Sequence, residues 1–95
     1  MTSPLQALRI DGEMTIYRAA ELRQQMQALL DETAGASAID LSGVSEIDCS
    51  GVQLLALAQR AAAANGRELR LTDPSAAVAE VFDLLNLGPL FGARA

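Results

Sequence analysis

Three short strand-like segments alternate with three segments of helical periodicity along this chain, and this order restricts the fold more than any other feature. Leu8 and Ile10 share one face of the first strand, Ala38 to Leu41 form the second, and Leu69 and Leu71 share one face of the third. Strands that alternate with helices are typical of a parallel sheet with crossover helices. The order β-α-β-α-β-α therefore predicts an α/β fold with a small, mostly parallel sheet and helices packed on it. We expect the first strand to stop at Gly12 and the second at a Ser42-Gly43 turn.

The helical segments have predicted ends as well as predicted buried faces. The first helix covers about Thr15 to Thr33, with Thr15 as its N-cap. The second covers about 51–64 and ends at Asn65-Gly66, a pair that is typical of a left-handed C-cap. The third begins with Asp73 as N-cap and Pro74 as the first helical residue. It is expected to bury one stripe, made of Val78, Val81, Phe82 and Leu85.

Length and charge restrict the domain count and the partners. With 95 residues, the chain is expected to form one domain, residues 1–95, around a single core. Its net charge is −5, and no basic stripe alternates with aromatic residues, so nucleic acid is not an expected partner. The N-terminal MTSPLQALRIDGE lacks the features of a signal peptide, and no apolar run approaches about 18 residues. We therefore expect a cytoplasmic protein without direct membrane insertion, and its oligomeric state stays open.

The residue types exclude several kinds of catalytic or metal site. The chain has no histidine, one cysteine, Cys49, and arginine as its only basic side chain. An internal disulfide, a Cys/His metal cluster and a Ser-His-Asp triad are therefore excluded, and arginine stays too strongly protonated to act as a base. With no nucleotide-binding motif either, the chain is predicted to be a non-enzyme without metal or cofactor.

Ser50 lies between an apolar strand-like run and the second helix, and three roles are open for its hydroxyl. As an N-cap it would form a capping box with Gln53. As a nucleophile it would lack a base, and Asp-Cys-Ser-Gly-Val does not match Gly-x-Ser-x-Gly. As a phosphoacceptor it would place a dianion where helix amides and the helix dipole favour negative charge, although Asp48 would oppose it.

The segment AIDLSGVSEIDCSGVQLL, followed by NGRELRLTDPSAAVAEVFDLLNL, resembles the STAS domain. This family includes anti-sigma-factor antagonists and the cytoplasmic tails of sulfate transporters. Asp40-Leu41-Ser42 matches the family's Asp-Leu-Ser-like turn, and Asp48 to Gly51 match its Asp-Ser-Ser-Gly or Asp-Thr-Ser-Gly motif. The similarity covers about residues 8–91, and GEMT at 12–15 resembles the GELD that precedes the family's first helix.

The resemblance implies a binding protein with a serine switch. In antagonists of the family, an anti-sigma factor that is also a serine kinase phosphorylates the serine before the glycine, and this phosphorylation abolishes binding. The matching residue is Ser50, and the expected partner is such a kinase. The expected partner-binding surface consists of Thr15, Tyr17, Asp48, Cys49, Ser50, Gly51 and Gln53, with Gly51 allowing close approach.

Two other binding roles also fit the resemblance. GEMTIYRAAELRQQM is similar to short STAS proteins of chemotaxis clusters, and Thr15 stands where many antagonists carry Asp. Other small STAS proteins are subunits of phospholipid-transport ABC complexes, but their motif usually ends Asp-Thr-Gly-Gly, and Ser50 favours a phosphoswitch. Cys49 departs from the usual Ser or Thr, and we expect it to be a small buried residue. Three apolar residues after the last helix are expected to close the core, namely Leu87, Leu90 and Phe91.

Overall fold

The computed structural model describes residues 6–32 and 36–91. Within these ranges the chain forms three strands, namely β1 (Gln6–Met14), β2 (Ala36–Ile47) and β3 (Glu68–Thr72). The α-helices are α1 (Ala19–Glu32), α2 (Cys49–Ala64) and α3 (Ala76–Leu84). A 3₁₀ turn at Ile16–Arg18 leads into α1, and a second one covers Gly88–Phe91. The predicted order of strands and helices is confirmed.

The three strands form one parallel sheet in the order β1-β2-β3. Leu8 pairs with Ile39, and Ile39 pairs with Leu71, so apolar residues of all three strands share one face. The crossovers between successive neighbouring strands place α1 and α2 side by side on the sheet. The mostly parallel sheet inferred from the pattern is thus the observed one, and both helices begin at the carboxyl edge of the sheet.

The first two strands are longer than predicted, because β2 contains two irregularities in its pairing with β1. One residue separates Arg9 from Asp11 while two separate their partners Asp40 and Gly43, and a second shift follows Gly12. Gly12 takes the positive φ of 84°, which allows β1 to continue to Met14. The predicted strand end at Gly12 and the predicted turn at Ser42-Gly43 are therefore wrong.

Two helix starts also differ from the prediction. Thr15 precedes the 3₁₀ turn without a side-chain capping bond, and the regular helix begins at Ala19. Ser75, not Asp73, caps α3, because its Oγ accepts a hydrogen bond from the Val78 N–H at 3.2 Å. Asp73 has a φ of 52°, a left-handed conformation that sets the chain up for the cap two residues later. The predicted end at Thr33 lies outside the described residues.

The ends of α2 and α3 share one geometry. Gly66 has a φ of 71° and donates to the Ala63 carbonyl at 3.0 Å, as the predicted C-cap requires. Asn86 takes the corresponding place after α3 with a φ of 58°, and the Leu87 N–H reaches the Phe82 carbonyl at 2.7 Å.

The apolar residues after α3 divide between core and surface. Leu87 packs against the core, as expected, while the side chains of Leu90 and Phe91 lie outside the described part of the structure. Leu85 is exposed because it lies at the C-cap, so its predicted place on the buried stripe is wrong, and Val81 is only partly buried.

One apolar cluster joins the sheet to the three helices. Its most enclosed side chains come from strands and helices alike, and include Ile10, Met14, Leu22, Ile39, Leu41, Leu55, Val78 and Phe82. Among the helices described, none is long and apolar enough to cross a membrane.

Candidate functional site

Asp48 organises the N-terminus of α2. Its Oδ1 accepts a hydrogen bond from the Gly51 N–H at 3.1 Å, which makes Asp48 the N-cap. Its Oδ2 accepts a second bond from the Ile16 N–H, also at 3.1 Å, and its own N–H donates to the Met14 carbonyl at 3.2 Å. One residue therefore connects the start of α2 to the end of β1 and to the 3₁₀ turn that follows it.

This arrangement changes the role expected for Ser50. Because Asp48 is the N-cap, Ser50 is the second residue of the helix, and the capping box with Gln53, one of the three roles left open for Ser50, is not formed. Ser50 is half-buried, and its hydroxyl has no hydrogen-bond partner among the described residues. The hydroxyl is thus free for another molecule, at the helix end where backbone N–H groups favour an anion.

Gly51 serves packing inside the domain. It is buried, and a Cβ built there would lie 2.8 Å from Ile47 Cγ1 and 2.9 Å from Met14 Cβ. It would also collide with the Met14 carbonyl oxygen. The missing side chain lets α2 start directly against β1, so the expected role of Gly51 in close approach by a partner is not the role that this geometry gives it.

The 3₁₀ turn places one predicted site residue inside and another outside. Thr15 is buried, and its Oγ1 donates to Glu13 Oε1 at 3.1 Å. Tyr17 is 90% exposed, and the neighbouring Ile16 is 64% exposed. Ile16 is not among the site residues predicted from the sequence, although an apolar residue beside an aromatic one in a polar segment is a usable signal. Together they form an apolar pair beside the N-terminus of α2.

Arg18 fixes this turn to β1. Its Nη1 donates to the carbonyls of Asp11 at 2.7 Å and Glu13 at 2.8 Å, and its Nη2 lies 3.3 Å from Glu21 Oε2. Since these carbonyls flank the irregular pairing at Gly12, Arg18 holds the end of β1 in shape. The exposed pair that precedes it is therefore presented on a supported backbone.

Cys49 and Gln53 complete the exposed surface at this helix end. Cys49 is exposed, so the prediction of a small buried residue is wrong: as the first residue of α2 it lies outside the contact that Gly51 makes with β1. Gln53 is exposed as well. We define the α2 N-terminal surface as Ile16, Tyr17, Cys49, Ser50 and Gln53. Asp48, Gly51 and Thr15 lie behind it and hold its backbone.

The Asp-Leu-Ser motif lies on β2, outside the α2 N-terminal surface, and supports the irregular pairing of β2 with β1. Asp40 Oδ1 accepts a hydrogen bond from the Ser42 N–H at 2.9 Å, and this bond is the main reason why the pKa of Asp40 is lowered. Arg9 Nη1 reaches Ser42 Oγ at 3.1 Å and Asp40 Oδ2 at 3.8 Å. The pKa of Arg9 is raised, chiefly by its hydrogen bond to Asp11.

The α2 N-terminal surface offers an acceptor hydroxyl and little other chemistry. Both Asp48 oxygens are taken by backbone N–H groups, which leaves Ser50 without an adjacent base. In the part of the chain that the structure describes, no group of three or more His, Cys, Asp or Glu side chains could hold a metal ion.

The fold and the site together define the class of this protein, namely an α/β domain with a free serine at a helix N-terminus. Residues 2–92 match the family model described as "Mlab, STAS domain". The chain therefore belongs to the STAS domain family. The search of curated proteins gives no match.

Two solved structures show the same fold. The anti-sigma factor antagonist SpoIIAA in its unphosphorylated form is similar, with 27% identity, a TM-score of 0.70, and coverage of 95% of this chain and 80% of that one. A sulfate transporter family protein from Wolinella succinogenes is similar in fold, with 18% identity, a TM-score of 0.73, and coverage of 97% and 76%. STAS domains are typically binding or regulatory modules.

Proposed function

We propose that this domain is an anti-sigma-factor antagonist-like switch that binds a serine kinase of the anti-sigma type and is released when Ser50 is phosphorylated. The observation that carries the proposal is the free Ser50 hydroxyl at the second position of α2, beside an N-cap that is already satisfied. The similarity to the antagonist SpoIIAA supports the same class of partner. The domain works as a binding module, and the kinase supplies ATP and the base.

Phosphorylation of Ser50 would change the surface without breaking the helix start. The cap is provided by Asp48, so the modification replaces no hydrogen bond inside the domain. The dianion lies at the positive end of α2, where exposed N–H groups stabilise it, while the Asp48 carboxylate opposes it. The added charge therefore acts mainly on whatever faces Ser50.

A kinase that faces Ser50 with its ATP phosphates would be repelled by this dianion. Like charges across an interface and the loss of their hydration each weaken a complex. A penalty of about 3 kcal/mol corresponds to roughly a hundredfold loss of affinity. Ile16 and Tyr17 supply apolar contact area beside the switch, in agreement with their exposure.

The test uses purified domain and each anti-sigma-type serine kinase encoded in the same genome. After incubation with ATP, mass spectrometry locates the phosphate, and calorimetry measures the affinity of native, phosphorylated, Ser50→Ala and Ser50→Asp forms. We expect phosphate on Ser50 only, and about a hundredfold weaker binding of the phosphorylated form. Ser45→Ala removes another exposed serine, which lies on β2, and should change neither result.

The alternatives give different outcomes in the same experiment. An adaptor of a chemotaxis cluster or a subunit of a phospholipid-transport ABC complex would bind its partner with an unmodified Ser50. Phosphate on another residue, or equal affinity of the native and phosphorylated forms, would contradict the switch and favour one of these unswitched roles.

A further inference from the structure

An apolar groove of about 600 Å³ runs between α1 and α2 and is open to solvent along one side. Its α2 wall includes Leu54, Leu57 and Ala61, which follow Ser50 by four, seven and eleven residues. Residues at this spacing share one side of an α-helix. Ser50 therefore stands in line with the groove, at its end nearest the carboxyl edge of the sheet.

The α1 wall repeats the same spacing. Ala19 is followed by Arg23, Met26 and Leu30, again after four, seven and eleven residues. Both helices start at the carboxyl edge, where the Ile16–Asp48 hydrogen bond joins their N-terminal regions, and they run side by side along the groove that they line together. The groove is consequently a channel between two helices that run in the same direction, and the α2 N-terminal surface lies at one end.

The shape of the groove favours a helix over other occupants. A small molecule would stay largely uncovered in an open groove, whereas binding sites for such ligands bury most of the ligand surface. A two-fold dimer over this face would place one concave surface on another and leave voids between them. A helix is convex, and alanines on both walls let its backbone approach closely.

The charge of the lining residues indicates which kind of helix the groove would bind. Arg23 is the charged residue of the groove lining, and, like Arg60 and Arg67, it takes part in none of the ion pairs between described residues. An unpaired guanidinium beside an apolar channel complements a carboxylate on the edge of an apolar helix. Leu57 is 57% exposed, so its side chain offers apolar surface in the channel that a bound helix would shield from water.

We propose that the α1/α2 groove binds an acidic amphipathic helix of a protein partner, with Arg23 pairing with a carboxylate of that helix and Leu57 packing on its apolar stripe. This inference rests on the proposed function in one respect, namely that the partner is a protein which also faces Ser50. Phosphorylated Ser50 would then lie at the end of the channel and repel the acidic helix, which couples the switch to the groove.

The experiment uses the whole chain and two synthetic probes rather than an unidentified partner. The probes are fluorescein-labelled helical peptides of about 15 residues with a leucine stripe, one flanked by glutamates and the other by lysines. Fluorescence anisotropy measures their affinities. We expect the acidic peptide to bind about tenfold more tightly than the basic one, and Arg23→Glu to reverse this preference.

Matched variants separate the groove from the rest of the surface. Leu57→Asp and Ala61→Glu should each weaken the acidic peptide by about tenfold or more. Leu84→Asp on α3, where the side chain is 80% exposed, and Arg70→Glu on β3 should leave its affinity unchanged. Unfolding curves check that Leu57→Asp is folded. Ala61→Glu repeats the test at a second exposed position of the α2 wall, one turn further from Ser50 than Leu57.

Other outcomes would overturn the inference. These are no binding of either peptide, binding that ignores Leu57→Asp, self-association of the domain that Leu57→Asp abolishes, and displacement of the peptide by a fatty acid at equal affinity. Failure of the proposed function gives a different result, because the peptide would then bind in the groove although no kinase phosphorylates Ser50. Conversely, phosphorylation of Ser50 without any effect of Leu57→Asp on kinase affinity would reject the groove alone.

Discussion

The Asp48 carboxylate accepts a hydrogen bond from the Ile16 N–H at 3.1 Å, across 32 residues of sequence. Through its other oxygen the same carboxylate caps α2, so it holds the exposed Ile16-Tyr17 turn and the Ser50 helix start in one fixed arrangement. The family motif thus contains a supporting aspartate followed, two residues later, by a free serine.

Replacement of Asp48 should destabilise the domain, because two backbone N–H groups lose their common acceptor. We expect Asp48→Ala to lower the free energy of unfolding by about 1–3 kcal/mol. Asp48→Asn should lose less, since one amide oxygen can still cap Gly51. Urea denaturation followed by circular dichroism measures both, with Glu80→Ala on α3 as a control for the removal of an exposed carboxylate. An unchanged stability of Asp48→Ala would show that water replaces both bonds without loss.

Two serines at helix starts should respond differently to the same substitution. Ser75 caps α3 through its Oγ, so Ser75→Ala should cost about 1 kcal/mol of stability. Ser50 caps nothing, and Ser50→Ala should stay within about 0.5 kcal/mol of the parent. Thermal and urea unfolding of the two variants decide this directly. An equal loss for both would mean that Ser50 does cap α2.

Gly51→Ala should be destabilising, against the usual effect of alanine in a helix. Helix propensity alone would favour alanine by about 1 kcal/mol, but the new Cβ would overlap with β1. We expect a net loss of about 1–3 kcal/mol, as for other overpacked sites. Gly88→Ala is the matched control, because no heavy atom lies within 4 Å of a Cβ built there. If both variants have the parent's stability, α2 can move away from Met14 at little cost.

Asp40 should make the stability depend on acidic pH in a defined direction. Its pKa lies below the ordinary value because the Ser42 N–H bonds to the carboxylate, so the unfolded chain binds the proton first as the pH falls. The stabilising contribution is present above the ordinary pKa of the carboxyl group and is lost as the pH falls through the lower pKa of the folded state.

Asp40→Asn should remove this dependence. The difference in unfolding free energy between parent and variant is expected to be constant near neutral pH and to shrink in the acidic range. Urea unfolding at a series of pH values measures it, and Glu80→Gln is the control for a neutralised carboxylate on α3. A difference that does not change with pH would show that the bond to Ser42 does not favour the ionised form.

The order of elements, the parallel sheet and most of the core could be predicted from the sequence, because apolar periodicity is a local property. Leu8 with Ile10, and Leu69 with Leu71, show their common face within a few residues. The C-cap at Asn65-Gly66 is local as well, since it needs only one residue that tolerates a positive φ. Ser50 could also be singled out, because the family motif is contiguous in the chain.

The features that escaped prediction depend on residues far apart in sequence. Whether a strand ends at Gly12 or continues depends on the extra residues that β2 inserts opposite it. Both Asp48 and Ser50 are acceptable N-caps by residue type, and Asp48 caps the helix while its second oxygen binds Ile16 from the end of β1. Once Asp48 is the cap, Cys49 and Ser50 become the first helical residues, so Cys49 is exposed and the Ser50 hydroxyl is free. The α1/α2 groove arises only when two helices are placed side by side on the sheet, because each wall by itself is an ordinary amphipathic stripe.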